Sequence, residues 1–380
     1  MSIPLIFEPW FTRDEYAARL ARVQERLRQR GLDGFLAFQP ETVTWVTGFF
    51  TRGYTSFQLA VIPADGAPTL VSRDVESFYI DATSAYPDRA LWSDSDDPVT
   101  VAAEAVRARL GAAAMVGVEM EAWPLSVALN ERLRSALPRY RFEDQSALVR
   151  DLRIIKSPAE IALQRRAGRA AEAGMQAAID SARIGVSERE MAAEICAAMI
   201  RAGSDAPGPG VMSSGERAFH LHGSYSDREL ERGDVIQIET TPNVHHYHAR
   251  FMRPIRVAEA SAEDHRVVER LVAIQDAALA EVRPGVPAGV PDAVYREGVL
   301  SEGLRKTYTN KTFYSVGLLL PPAGGERLEA APGCDWSFVE GMTFHTYVLA
   351  RGFGMSETIA VTSNGHERLT NFPRQLFVSG

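Results

Sequence analysis

Apolar residues recur at helical spacing early in the chain. Between Thr12 and Arg30, Tyr16, Leu20, Val23 and Leu27 share one face with charges between them, which predicts an amphipathic helix. Gly31 and Gly34 then lead into a strand-like run, Phe35-Leu-Ala-Phe38. Residues 58–72 read as two strands around the turn Pro63-Ala-Asp-Gly66. A further helix is predicted from Thr100 to Leu110 and a further strand from Ala114 to Val118. The alternation is that of an α/β domain. It contains neither G-x-x-x-x-G-K-[ST] nor a strand-linked G-x-G-x-x-G, so nothing in it supports nucleotide binding.

The pattern changes near residue 150. Ser157 can cap a helix whose first residue is Pro158, and Glu160 three positions on completes a capping box. The helix is expected to run to about Ala182, a second from Ser187 to about Gly203, and a third from Ala262 to Val282 after a strand hairpin at 235–257. The expected organisation is therefore α+β. A small α/β domain spans 1–150, and a second domain of helices packed on an antiparallel sheet spans 151–380.

Composition narrows the class. With 380 residues, two domains are the natural expectation. The chain is 46% hydrophobic and 24% charged, as in ordinary globular enzymes. The net charge of −8 argues against a nucleic-acid or anionic-membrane partner, which would need a basic face. Cys196 and Cys334 are far apart in sequence and read as free thiols of a reducing compartment. The N-terminal residues lack a basic segment followed by an apolar one, and no run of about 18 apolar residues occurs, so the expectation is a cytoplasmic protein.

Four segments carry the chemistry. They are KSPAEI at 156–161, HGSYSDRELERGD at 222–234, the 235–257 hairpin, and GMTFH at 341–345 followed by SETIAVTSNGHERLT at 356–370. In this order and spacing they resemble the creatinase/aminopeptidase P/prolidase family. The resemblance implies a pita-bread catalytic domain behind a creatinase-like N-terminal domain, and usually a homodimer.

Peptidases of that family hold two divalent metals with two Asp, one His and two Glu. Carried over position by position, the resemblance puts Glu239 and Arg250 at the two Asp positions, Tyr314 at the His, Tyr347 at the first Glu, and Ser356 at the second. A slip of one residue would put Glu357 there instead. A guanidinium stays protonated and repels a cation, so no metal and no cofactor are expected. The histidines His220, His222, His245, His246, His248 and His345 crowd the same segments. They lack zinc-type spacing, and His245 and His246, read as strand neighbours, would face opposite ways.

The resemblance puts the family's catalytic histidine at His222, with His220 a competitor at the same strand parity. It leans toward metal-independent members, creatinase-like and ectoine-hydrolase-like. Glu239 shares a strand face with Gln237 and Thr241, and a carboxylate walled by tyrosines suits base or nucleophile work. His222 and Glu239 are thus the expected catalytic pair. Arg250, Tyr314, Tyr347, His248 and His345 are the expected substrate contacts, joined by Arg52, Tyr54 and Phe57 of the loop Thr51–Phe57. In creatinase-like dimers the corresponding loop reaches the neighbouring subunit's site. The expected activity is metal-free hydrolysis of a C–N bond in a small polar nitrogen compound. An Xaa-Pro metallopeptidase, an inactive ligand-binding relative and a lyase remain as alternatives.

Overall fold

The computed structural model describes residues 9–208 and 210–380. The reading of the extreme N-terminal segment falls on residues 1–8 and lies outside the described residues. The chain divides into two compact units, Met1–Arg153 and Ile154–Gly380.

In the first unit the expected amphipathic helix spans Arg13–Gln29, capped by Thr12, whose hydroxyl accepts from the Glu15 amide at 3.2 Å. Tyr16, Leu20, Val23 and Leu27 are buried along it, the face that their spacing predicted. A six-stranded sheet runs in the order Arg89–Trp92, Thr69–Arg73, Leu59–Pro63, Gly34–Ala37, Met115–Val118, Arg141–Asp144. Its two central pairings are antiparallel, with Leu59 opposite Val71 and Gly34 opposite Pro63. The outer pairings are parallel. Among the described residues of this unit four helices were not read from the sequence, Pro40–Thr47, Ser77–Thr83, Val127–Ala136 and Ala147–Arg153. The first is buried at every position, so it has no polar face to give a period.

In the second unit the capping box forms as expected. The Ser157 amide donates to Glu160 at 2.8 Å, the Glu160 amide donates back to the Ser157 hydroxyl at 3.3 Å, and the helix runs Pro158–Ser181. It packs against the helix Glu188–Arg201, and a second pair, Ala262–Ala280 and Gly289–Ser301, packs in the other half. Gly289–Ser301 is the one helix of this unit that the sequence reading missed. Gly168 permits the long helix to pass the C-terminal strands closely, since a Cβ there would sit 1.9 Å from the Leu369 carbonyl oxygen.

The expected single antiparallel sheet is in fact two five-stranded sheets, with a separate two-stranded hairpin of Asn243–Val244 and Tyr247–His248. One contains Phe251–Met252, Val235–Thr240, Ile255–Val257 and Phe377–Ser379, with Met212–Ser214 also paired to Val235–Thr240. The other orders Glu329–Ala330, Phe313–Ser315, Thr343–Ala350, Phe353–Val361 and His366–Arg368. Each sheet buries one apolar face against its own helix pair. The opposite faces supply the walls of a cavity. Among the described residues no helix is long and apolar enough to cross a membrane.

Candidate active site

Glu239 lies on the strand Val235–Thr240. Strand alternation turns Gln237 and Glu239 to the same side, and both line a cavity of about 360 Å³, enough for a small metabolite-sized ligand. Thr241, expected on the same face, lies just beyond the strand and does not line the cavity. Gly210 presses on the Glu239 backbone. Its φ is +67°, and a Cβ would come within 1.9 Å of the Glu239 carbonyl oxygen. Only glycine accommodates that approach.

Arg250 follows the hairpin and precedes the strand Phe251–Met252. Its amide donates to the Thr358 hydroxyl at 2.7 Å. Its Nη1 donates to the Tyr314 hydroxyl at 3.0 Å and lies 3.5 Å from Glu239 Oε1. The Tyr314 hydroxyl in turn donates to Glu239 Oε1 at 3.4 Å. The guanidinium, the phenol and the carboxylate form one closed triangle.

The second sheet provides the aromatic wall. Tyr314 and His345 are direct cross-strand partners with ring centroids 5.0 Å apart. Tyr347, two positions along the same strand, stacks on His345 at 5.3 Å and 18°. Register also settles the fifth position. Tyr347 pairs with Ser356, whereas Glu357 pairs with Thr346 and faces the other way. Glu357 is consumed there, accepting from Arg253 Nη2 at 2.6 Å and from the Thr370 hydroxyl. Ser356 therefore occupies the slot beside Tyr347.

His222 lines the cavity from an exposed turn, with φ +62°. The expectation that His220 and His222 share a strand face does not hold. They follow the 3-10 turn Gly215–Phe219, and His220 lines a separate, smaller hollow. His245 and His246 likewise are not strand neighbours. They form a two-residue hairpin turn, both at positive φ, between Asn243–Val244 and Tyr247–His248. His248 was expected to contact substrate but lies outside the cavity lining, with Nε2 3.2 Å from the Leu319 carbonyl oxygen. Burial, with Arg250 and His246 nearby, depresses it to about 3.

Electrostatics follow from burial. The Glu239 carboxyl is pushed above its usual range by desolvation, against the pull of Arg250, Tyr314 and His222. Burial raises both Tyr314 and Tyr347, so they remain neutral donors. Burial and the Arg250 charge hold His345 neutral, well below its usual range. Among the described residues neither ring nitrogen of His345 has a hydrogen-bond partner, though Nδ1 is 3.9 Å from Glu239 Oε1.

Three charged lining residues escaped the sequence reading: Lys311, Glu326 and Glu329. Lys311 pairs with Glu329 and lies 5.2 Å over the Tyr314 ring. Glu326 accepts from Lys156 Nζ at 2.5 Å, both side chains being buried. Lys156 and Tyr314 stood in recognisable motifs, but the loop that brings Glu326 had no periodicity to mark it.

In the first unit, Arg52 is exposed. Tyr54 is buried with its ring 6.4 Å from Phe50, and Phe57 packs at 6.2 Å on Phe38. Within this chain the two aromatic side chains serve their own unit's packing.

The donor chemistry does not fit a divalent metal pair. The five positions hold one carboxylate, a guanidinium bonded toward it, two neutral phenols and a serine hydroxyl. Among the described residues no group of three His, Cys, Asp or Glu is arranged to hold a metal ion.

Comparison with known proteins places this geometry. The profile described as "Creatinase/Prolidase N-terminal domain" matches residues 19–155, and that described as "Metallopeptidase family M24" matches residues 162–363. The chain is 28% identical over 387 residues to the uncharacterized hydrolase/peptidase y4tM of Sinorhizobium fredii, covering 97% of this chain and 98% of that one. It is also 28% identical over 398 residues to ectoine hydrolase of Halomonas elongata, again covering 97% and 98%. The crystal structure of dipeptidase PepE from Mycobacterium ulcerans superposes with a TM-score of 0.83 at 26% identity, covering 97% of this chain and 99% of that one. The two sheets with their helix pairs are the pita-bread domain, and the chain belongs to metallopeptidase family M24 as a hydrolase.

Proposed function

We propose that this protein hydrolyses a C–N bond in a small polar nitrogen compound without a metal ion. The observation that carries the proposal is Arg250 on Glu239, a fixed positive charge at 3.5 Å where the family's peptidases place a second metal-binding carboxylate. The full-length similarity to ectoine hydrolase supports the substrate class.

Glu239, in its ionised form, takes a proton from a water held against the substrate carbon. The water oxygen bonds to that carbon, and the C–N bond breaks as His222 delivers a proton to the departing nitrogen. A buried carboxyl with a raised pKa is suited to accept that proton. Tyr347, held neutral, donates to the oxygen that gathers negative charge, and Tyr314 turns its proton there as Glu239 becomes protonated. Arg250 offsets that charge and orients any substrate carboxylate. His345, with both nitrogens unengaged, is available to the substrate's polar edge. The active unit in this proposal is a homodimer, with the 51–57 loop contributing Arg52 to the neighbouring site.

A second reading is an Xaa-Pro-type peptidase, favoured by the PepE and Xaa-Pro dipeptidase relatives. One panel separates the two. Small cyclic amidines, guanidino acids and amides are assayed in EDTA beside Xaa-Pro dipeptides with and without added Mn²⁺. Turnover of a small nitrogen compound in EDTA supports the proposal. Turnover of Xaa-Pro substrates alone, and only with metal, replaces it with the second reading.

A further inference from the structure

His222 needs an explanation that its own turn does not provide. A non-glycine residue at φ +62° costs free energy, and the surrounding structure has to enforce it. The segment that carries it, 214–226, is also largely exposed, with Phe219, Leu221 and Tyr225 open to solvent. Such a segment would be expected to wander. What holds it is a carboxylate from another element, Glu188, the first residue of the helix Glu188–Arg201.

The Glu188 side chain is wholly buried, and each of its oxygens takes one end of the segment. Oε1 accepts from the Ser214 amide at 2.8 Å and the Ser214 hydroxyl at 2.6 Å. Oε2 accepts from the Ser226 amide at 2.8 Å and the Ser226 hydroxyl at 2.8 Å. Arg217, inside the segment, donates through Nη2 both to Oε2 and to the Ser226 hydroxyl, the latter at 3.0 Å, and through Nη1 to the Ser224 carbonyl at 3.1 Å. The carboxylate is thus a two-ended clasp closing the loop that presents His222.

Its neighbours tighten the closure. The Met212 amide donates to the Gly223 carbonyl at 2.9 Å, directly after His222. A Cβ at Gly223 would meet the Ser213 hydroxyl oxygen at 2.6 Å, so the two strands of the loop touch there. With its amide turned to donate, Gln237 on the Glu239 strand reaches the carbonyls of Ala218 and His220 at 2.7 and 3.0 Å. Burial raises the Glu188 carboxyl but the bonds from Ser214, Arg217 and Ser226 outweigh it, leaving it lowered and ionised at neutral pH.

We infer that Glu188 is a positioning residue for His222, clasping both ends of its loop so that the imidazole is held over Glu239. The inference rests on the role proposed above for His222, but its structural half can be read without a substrate. Charged hydrogen bonds from one carboxylate to both ends of a loop fix its closure in a way that neutral contacts do not.

The experiment uses the full-length protein carrying ¹³C-labelled histidine, with His222→Asn identifying the His222 signal. Glu188→Gln keeps the side chain's shape but loses its charge, and its amide nitrogen cannot accept from Ser226 or Ser214. The expected variant is folded by circular dichroism. Its His222 signal shifts or broadens while those of His248 and His345 stay. Amide exchange across 214–226 accelerates about 10-fold. With a panel compound that the parent turns over, kcat falls about 10-fold and KM stays within about twofold, as for a misplaced catalytic group. A folded, less stable variant with unchanged His222 signal, loop exchange and kcat would overturn the inference. If Glu188→Gln does not fold, Ser226→Ala removes one arm only. The same three readouts then move by a smaller amount, or, if none moves, the inference fails. If His222→Asn leaves turnover intact, the functional reading falls alone, and the signal and exchange data still decide the clasp.

Discussion

Tyr347 and Ser356 stand opposite each other across an antiparallel strand pair, at the two positions that the sequence resemblance sets against the metal-binding glutamates of the family's peptidases. With Arg250 held on Glu239, the five aligned positions together carry one carboxylate and one fixed cation. The first expectation concerns metal. Protein purified without added metal should carry well under one equivalent of Mn, Fe, Co or Zn, and titration with Mn²⁺ should show no binding heat from this cavity. One or two equivalents bound to Glu239 and its neighbours would reject the metal-free reading.

His222→Asn and Glu239→Gln should each lower kcat by roughly 10²-fold or more, the usual scale for a lost general acid or base. Circular dichroism serves as the folding control. If both variants fold and keep parental turnover, the catalytic groups lie elsewhere. If binding is lost and turnover of bound substrate is not, the site is a ligand-binding one.

Arg250→Gln should make stability more sensitive to alkali. Glu239 already has a raised pKa, and removing the guanidinium raises it further. A carboxyl raised in the folded state binds its proton there after the unfolded chain has released it. Its contribution is complete below the unfolded value and is lost as pH rises through the folded one. The variant should therefore match the parent near pH 5 and fall behind by about 1–3 kcal/mol near pH 8, the scale of a buried group left without its partner. Urea unfolding at both pH values measures this. An equal deficit at both would show that packing, not charge, is what Arg250 supplies.

Glu119 gives an independent pH test in the first unit. It accepts from the Phe38 and Gln39 amides at 3.0 and 2.8 Å and from the Thr42 hydroxyl at 2.5 Å, ahead of the helix Pro40–Thr47. Full burial pushes it up to about 7 from 4.5, against those bonds and Arg153. The stability it lends is complete below 4.5 and is lost as pH rises through about 7, at a slope of at most about 1.4 kcal/mol per pH unit. Glu119→Gln keeps an acceptor for the two amides and should flatten that part of the stability profile. An unchanged profile would mean that the three donors hold the carboxylate ionised throughout.

The sequence made much of this legible, for reasons that differ by residue. Ser157, Pro158 and Glu160 signalled a helix start because capping is local chemistry. Glu239 and Gln237 could be put on one face because strand alternation is local too. The Ser356–Glu357 ambiguity could not be resolved, since which of them faces Tyr347 depends on register set by a partner strand. His222, His245 and His246 read as strand residues because a turn at positive φ is normally announced by glycine or asparagine, and here histidines occupy it. Lys311 and Glu326 had no motif, as loop residues reach a site through tertiary packing alone, and Glu329 sits on a two-residue strand too short to show a period.

The Lys156–Glu326 pair has a consequence for where the chain can be cut. The helix begins at Pro158, which makes Ser157 look like a natural first residue for an isolated catalytic unit. Yet the Lys156 amide donates to the Gly341 carbonyl at 2.8 Å, and its ammonium is what neutralises Glu326 in the cavity wall. A fragment beginning at Ser157 would take the Lys156 ammonium away from that buried carboxylate, which weakens the cavity wall. A fragment beginning at Ile154 keeps the cation and the carbonyl of Ile154 that Lys156 Nζ also reaches at 3.2 Å. The excision boundary of this enzyme is thus fixed by the electrostatics of its cavity rather than by the edge of a helix, and comparing the melting temperatures of the two fragments at pH 7 would show it as a clear deficit in the shorter one.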